Sequence, residues 1–384
     1  MHTPSVSIVI VNYRVKYFLE QTIRSAKEAL QGLQGEIIVI DNNSQDDSIA
    51  YVRRLHPDVI YVENRENLGF AKANNLGFEI AQGEYILILN PDTVIGRNTL
   101  HECIRHYQSH PDCGGIGVKM HDGNGNFLPE SKRAFPTPWV SFCKIFGLSR
   151  LFPKSRVFAK YHLRFLSEQE VHPVDILSGA FIFVKTSRLL KVGGFSTDYF
   201  MYGEDIDLSY CLNQAGYQNY YIPTPIIHYK GESTQKDSYR YVKVFYEAME
   251  IFFRKHYPHF SKIYGFTVFF AIRLRASMAL ANRFFRKFFC GTGKKKQTSR
   301  PVSTIVVTKS EDAPKIAGGE VLASVSSIAG LRNEYPTPVR IIFDNRACSY
   351  QEIIEYVASH HAPNVEFAIY SSQCDIVITP KMEK

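Results

Sequence analysis

Four apolar runs, separated by stretches of helical spacing, fill the first 90 residues and restrict the fold more than any other feature. Val6–Val11 reads as a buried strand. Val15–Leu30 then sets Phe18, Leu19, Thr22, Ile23, Ala26 and Leu30 on one helix face. A second strand run, Glu36–Ile40, ends at Asp41-Asn42-Asn43-Ser44, and Ser44 followed by Asp47 predicts a capped helix start. Val59–Val62, a helix over Gly69–Ala81 stopped by Gly83, and the strand Tyr85–Leu89, broken by Asn90-Pro91-Asp92, continue the pattern. Strands separated by helices of this length predict an α/β fold: a mostly parallel sheet, with right-handed crossovers, flanked by helices. Ligands of such sheets sit beyond the carboxyl ends of the strands. The polar residues that end each run are therefore the first candidates for a site.

The rhythm stops at residues 121–172, where Gly123, Gly125, four prolines and an aromatic-basic stretch predict an insertion facing a variable ligand. It returns at Val174–Val184 and at a helix over Glu204–Ala215 ended by Gly216. Short strands follow at Tyr220–Ile222 and Ile226–His228, around Pro223 and Pro225. Residues 1–235 thus form the first unit. A helical extension over 236–290 and a linker over 291–301 lead to a small second α/β unit over 302–384. Its clear strands are Thr304–Val307, Val339–Phe343, Val365–Ala368 and Asp375–Ile378, and its clearest helix is Tyr350–Ser359. No glycine-rich phosphate loop occurs there. Its role is read as interaction, docking or sensing rather than catalysis.

The strand-end residues carry specific chemistry. Asp41 can accept from the imide N–H of a pyrimidine base or from a sugar hydroxyl, and serves equally as a turn residue. Asp92 can bind a hard divalent cation that bridges a diphosphate, while Asn90 adds only a neutral oxygen. Asn67, Gly69 and Asn74 place amides and a flexible glycine at a helix start, which suits a phosphate, a sugar or plain capping. Glu204 and Asp205 open a helix and can supply a general base and a group that orients it. The helix dipole also favours acids there without chemistry. His228 can ligate a metal, and Lys230 in the loop beyond it can close over a diphosphate.

Individually these signals are weak, but their order is specific. SIVIVNYR, EIIVIDNNSQDDS, ENLGFAKANNLG, GEYILILNPDTVI, the long SGAFIFVK to NQAGY segment and IIHYKGEST resemble the family-2 glycosyltransferases. Among them the chain is most similar to bacterial rhamnosyltransferase-type enzymes acting on lipid-linked glycans. The resemblance covers roughly residues 5–257. It implies a GT-A fold, a nucleotide-sugar donor, and inversion at the anomeric carbon. It also implies a divalent cation, Mn²⁺ or Mg²⁺. By motif, Val11, Asn12 and Tyr13 match the donor-contacting end of the first strand. Asp41 matches the base- or ribose-recognising acid. Asp92 matches the metal-binding acid, with Asn90 in place of its first partner. His228 matches the histidine that completes the metal or diphosphate site, and Asp205 of the Glu204-Asp205 pair matches the catalytic base. Two departures stand out. Cys211 replaces an arginine common in relatives, and no Q-x-x-R-W follows His228, which disfavours a processive synthase. The resemblance favours dTDP-rhamnose as donor and a lipid-linked or oligosaccharide acceptor in cell-surface polysaccharide biosynthesis.

Two other classes compete. A sugar nucleotidyltransferase needs a glycine-rich basic loop after the first strand, and Asn12-Tyr13-Arg14-Val15-Lys16 is not one. A non-catalytic scaffold predicts loss of Asp41, Asp92, Asp205 or His228, and all four are present.

Charge and composition settle location and partners as expectations. The net charge of +8 is uneven: residues 236–300 hold 15 Lys and Arg against 3 Asp and Glu. Phe252, Phe253, Phe284 and Phe285 are interleaved with that charge. The block predicts contact with an anionic membrane surface, whereas no recognised nucleic-acid motif occurs. No apolar run reaches the roughly 18 residues of a spanning helix. The SVSIVIV run lacks a preceding basic region, so it reads as a strand rather than a secretion signal. Seven cysteines without a C-x-x-C pair fit reduced thiols. The expected location is cytoplasmic, peripheral at the inner face of the plasma membrane.

Overall fold

The computed structural model describes residues 5–230, 239–257 and 303–380, apart from 312, 318–320, 333 and 336. Strands β1 (Ser5–Asn12), β2 (Gln34–Asp41), β3 (Ile60–Glu63) and β4 (Tyr85–Leu89) pair in parallel in the order β3-β2-β1-β4. Helices α1 (Lys16–Ala29), α2 (Ser48–Leu55) and α3 (Gly69–Ile80) connect them. The strand runs are continuously apolar because both sheet faces are covered. Ile8, Ile10, Val39 and Leu87 enter one buried cluster, and their neighbours Val9, Ile38, Ile40 and Ile88 enter another. This is the α/β class expected from the repeating pattern.

The sheet then grows by antiparallel additions. After β5 (Thr93–Val94), α4 (Thr99–Ser109) and β6 (Cys113–His121), the insertion contributes α5 (Pro138–Ile145) and α6 (Leu148–Leu151). Strands β7 (His172–Val174) and β8 (Phe181–Lys185) follow, then α7 (Thr186–Lys191), α8 (Glu204–Gln214) and β9 (Gln218–His228). The nine-stranded order is β3-β2-β1-β4-β8-β6-β9-β5, with β7 on β9. β8 runs antiparallel to β4, so its first residue, Phe181, pairs with Leu89. The turn before β8 therefore arrives at the same edge as Asn90. Thr93 pairs with His228, which brings the end of β9 there as well.

Three local expectations change. Helix α2 starts at Ser48, not at Ser44, because the Ser44 hydroxyl binds Asp41 instead. The two short strands around Pro223 and Pro225 are one strand. A register shift between Val118 and Lys119 of β6 interrupts the ladder near the prolines, where a missing N–H is tolerated. β6 itself has no counterpart in the sequence reading, because its three glycines hide a strand that central burial imposes.

α9 (Tyr239–His256) corrects a further expectation. Phe252 and Phe253, read as part of a membrane-facing block, are buried against Ile176, Tyr199 and Ile206. This part of the aromatic stretch is an internal pack. Residues 258–302, with Phe284, Phe285 and the linker, lie outside the described residues.

A second sheet comprises β10 (Ser303–Val307), β11 (Ala323–Val325), β12 (Val339–Asp344), β13 (Val365–Ser371) and β14 (Ile376–Ile378), in the order β11-β10-β12-β13-β14. Only β14 is antiparallel to its neighbour. Helix Tyr350–Ser359 begins at a capping box of Ser349 and Glu352. One apolar cluster joins the two sheets, with Phe18, Val94, Ile227 and Tyr229 packed among Val307, Phe343, Tyr350 and Ile354. Beside it Ser371 Oγ donates to Glu20 Oε2 at 3.1 Å. Glu20 is fully buried and ion-paired with Arg24 at 2.6 Å.

Candidate active site

The first corner lies where β1 and β2 end. Asn12 pairs in register with Asp41, and Asn12 Nδ2 donates to Asp41 Oδ1 at 2.8 Å. Ser44 adds its hydroxyl at 2.6 Å and its backbone N–H at 3.0 Å. Asp41 is 6% exposed, and all of these donors are neutral. Its charge is thus oriented by hydrogen bonds without being cancelled by them. Val11 is buried in the core, and the Arg14 guanidinium lies 5.2 Å from the centre of the Tyr13 ring.

The loop after Asp41 reaches the start of α3. Asn42 Nδ2 donates to Asn67 Oδ1 at 2.9 Å and to the Gly69 carbonyl at 3.1 Å, while Asn42 Oδ1 accepts from Leu68 N–H. Gly69 has φ +78°, and a Cβ there would collide with the Phe200 backbone. Only glycine satisfies both demands. Asn74 stands apart from this group. It lies a turn further along α3, buried, with its amide donating to the Phe70 carbonyl at 2.9 Å.

The second corner gathers Asn90, Asp92 and His228. His228 Nε2 lies 3.2 Å from Asp92 Oδ1 and 3.3 Å from Asn90 Nδ2. Asp92 and His228 are both nearly buried. Two ligand atoms at right angles around an octahedral ion, each about 2.1 Å from it, stand about 3 Å apart. The observed 3.2 Å meets that requirement, and a carboxylate oxygen with a neutral imidazole is an acceptable donor pair for Mn²⁺ or Mg²⁺. These residues fit a divalent cation.

The third corner is the start of α8. Asp205 Oδ2 accepts from Arg133 at 2.5 Å and from the Gly179 N–H at 3.2 Å. The same guanidinium donates to the Leu177 carbonyl at 2.6 Å. Asn90 N–H donates to the Ala180 carbonyl, so one turn, Ser178–Ala180, holds the second and third corners together. Glu204 is 5% exposed, and its Oε2 has no hydrogen-bond partner. Burial, and then the neighbouring Asp205, push its carboxyl up to about 8. Asp207 is engaged elsewhere: Lys255 binds it at 2.9 Å and His256 at 2.6 Å. Burial opposes ionisation of Asp207, yet these α9 partners hold its carboxyl below the usual range. Of the three acids, Asp207 latches α9 and Glu204 is sealed. Asp205 keeps a side-chain exposure of 15%.

Lys230, expected over a diphosphate, forms an ion pair with Glu130 of the insertion. Burial raises the Glu130 carboxyl, but Lys230 outweighs it and brings it to about 2. Arg133, Ser44 and the 178–180 turn are not among the site residues that the sequence predicts. Arg133 carries no local signal, being one cation in a segment without regular spacing. Ser44 stands in the D-N-N-S run, where its spacing to Asp47 points to a helix cap and not to Asp41.

Residues 7–171 match the family model described as Glycosyl transferase family 2. Glu204, Asp205 and His228 lie beyond that span. An N-acetylglucosaminyl-diphospho-decaprenol L-rhamnosyltransferase of Mycobacterium tuberculosis is 26% identical over 264 residues, covering 65% of this chain and 84% of that protein. A low-salt glycan biosynthesis hexosyltransferase of Haloferax volcanii is 26% identical over 208 residues, covering 53% and 60%. Among solved structures, a mannosyltransferase of Pyrobaculum calidifontis in complex with GDP-Man and Mn²⁺ has a TM-score of 0.44 at 18% identity, covering 75% of this chain and 81% of that one.

Proposed function

We propose that this chain, whose residues 7–171 match the model described as Glycosyl transferase family 2, is a glycosyltransferase that moves one sugar from a nucleotide-sugar donor to a glycan acceptor in a single inverting displacement. The observation that carries this reading is the convergence of three corners on one sheet edge, with Asn90 tied to the turn that holds Asp205. Asp41, with Asn12 behind it, accepts from the base or ribose of the donor. The Asn67–Gly69 helix start braces this corner instead of offering its amides: Leu68 N–H donates to Asn42 Oδ1, Gly69 N–H to Asn67 Oδ1 and Phe70 N–H to the Phe200 carbonyl. A divalent cation held by Asp92 and His228 would supply neutralisation of the charge that develops on the leaving diphosphate.

Asp205 acts as general base. It takes the proton of an acceptor hydroxyl while that oxygen attacks the face opposite the leaving group. Arg133 and the Gly179 N–H fix the carboxylate through Oδ2. Burial pushes the Glu204 carboxyl up and so favours its neutral form, which disfavours a second charge behind the base. The favoured donor is dTDP-rhamnose and the favoured acceptor a lipid-linked glycan, supported by the mycobacterial relative's name and its 84% coverage. One sugar is added per encounter, in cell-surface polysaccharide synthesis at the cytoplasmic membrane face. Among the described residues no helix is long and apolar enough to cross a membrane.

Purified protein assayed for donor hydrolysis and transfer across dTDP-rhamnose, UDP-GlcNAc and GDP-mannose, with Mn²⁺, Mg²⁺ or EDTA, tests this. Turnover of dTDP-rhamnose dependent on a divalent cation is expected. Turnover of another donor overturns the sugar assignment, equal turnover in EDTA overturns the metal, and retention at the anomeric carbon of the product overturns the single displacement.

A further inference from the structure

Five of the eleven exposed large hydrophobic side chains among the described residues fall between residues 139 and 157. They are Trp139 at 50% exposure, Phe142 at 43%, Leu151 at 69%, Phe152 at 47% and Val157 at 54%. Contiguous exposed apolar surface on a soluble domain marks a contact site. The surrounding charge is one-sided: residues 131–167 contain eight Lys and Arg and no Asp or Glu. Arg150, Lys154 and Arg156 are exposed within the patch itself.

We propose that this face of the insertion docks on an anionic lipid surface, with the aromatic and aliphatic side chains entering the interfacial layer and the cations meeting the headgroups. Tryptophan is favoured at a membrane–water boundary, and a cationic rim adds attraction to anionic lipid. The ring arrangement argues against bound nucleic acid, which needs rings open to receive bases. Trp139 instead stacks on Phe142 at 5.7 Å, and Phe142 packs on Phe146 at 4.5 Å. The most exposed members, Leu151 and Val157, offer no stacking face. Protein interface cores are depleted in lysine, and Lys154 is exposed within this patch.

The patch follows Arg133 closely in the chain. Thr137 caps α5 by accepting from Val140 N–H, and the Tyr161 carbonyl accepts from Ala134 N–H. The segment that steadies Asp205 thus continues directly into the docking face. The placement rests on the lipid-linked acceptor reading for its purpose: a polyprenyl-type acceptor held at the same membrane would present its sugar to the site that Arg133 of this insertion borders. The physical contact does not depend on that reading.

Trp139 is the chain's single tryptophan, so its emission reports on this face alone, even if residues 258–302 also meet lipid. The full chain is mixed with phosphatidylcholine vesicles, with and without phosphatidylglycerol. A blue shift with anionic vesicles, reversed by high salt and absent with neutral ones, is expected. Replacing Arg150, Lys154 and Arg156 by Gln should weaken vesicle partition roughly 100-fold, about fivefold for each charge removed. Transfer to a water-soluble acceptor should be unchanged, since none of the three touches the site. Flotation with vesicles but no shift at Trp139 overturns the proposal. So does an equal shift with single-stranded DNA, or one driven by protein concentration without lipid, which would assign the face to nucleic acid or a second copy. If no donor is turned over yet the shift appears, the functional reading falls and the docking face stands.

Discussion

Both sheets contain a parallel strand that ends in a buried aspartate: β2 ends at Asp41 and β12 at Asp344. Their exposures are 6% and 1%. Asp41 accepts from Asn12 and Ser44, both neutral. Asp344 accepts from the Arg346 guanidinium at 2.8 Å and from Thr308 at 2.7 Å. Burial works against its charge, yet Arg346 and Thr308 hold the Asp344 carboxyl below the usual range. A carboxylate that is both matched by its own cation and closed off from solvent, as Asp344 is at 1% exposure, has little attraction left for a ligand. One held only by neutral donors keeps its charge to offer. The same position in two similar sheets is therefore a binding corner in one and a closed structural joint in the other.

The contrast can be broken by substitution. The largest effect is expected at Asp205→Asn, which keeps shape and removes basicity. Transfer should fall by about 100-fold or more, with donor binding nearly unchanged by calorimetry. Near-normal turnover would return the role of base to Glu204. Asp92→Ala should weaken donor binding by about tenfold or more when Mn²⁺ is present and hardly at all in EDTA. Equal weakening in both conditions would leave Asp92 as a packing residue. Asp41→Asn should raise the donor KM by about tenfold with a smaller effect on kcat. Asp344→Asn should leave both constants within about twofold and lower stability by about 1–3 kcal/mol in urea unfolding. Matching kinetic losses in the two variants would erase the distinction between the sheets.

The smallest effect concerns Glu204 and pH. Its carboxyl titrates at about 8 when folded, against 4.5 as the ordinary value. The folded protein thus holds a proton that the unfolded chain releases above about 4.5. The stability contributed by this group is fully present below that pH and is lost as pH rises through about 8. Glu204→Gln should flatten this decline, so the variant's melting temperature gains on wild type between pH 5 and pH 8. Parallel melting curves across that range would show that Glu204 is not sealed in a neutral state.

The sequence made most of this sheet edge readable because its residues stand where periodicity stops. Asp41, Asn90, Asp92 and His228 each close an apolar run, and the structure brings them to one edge. What could not be read depends on contacts between distant segments. Arg133 meets Asp205 72 residues away, and local spacing carries no trace of that pairing. Phe252 and Trp139 show the same limit in another form. Both lie in aromatic-basic stretches of similar composition, yet one is 1% exposed and the other 50%. Composition counts the charges and rings, whereas packing against Tyr199 and Ile206 decides which rings meet solvent.

The apolar cluster shared by the two sheets bears on how such a protein can be rebuilt. Tyr229 follows His228 directly and packs with Phe18, and its cluster continues into Phe343 and Tyr350 of the small sheet. The carboxy-terminal portion is therefore not a detachable cassette. Exchanging it for a homologous segment would leave the strand that bears His228 facing a mismatched wall. A compatible chimera would need to inherit Phe18, Val94 and Ile227 along with their counterparts across the seam, and random recombination that splits these sets should yield few folded progeny.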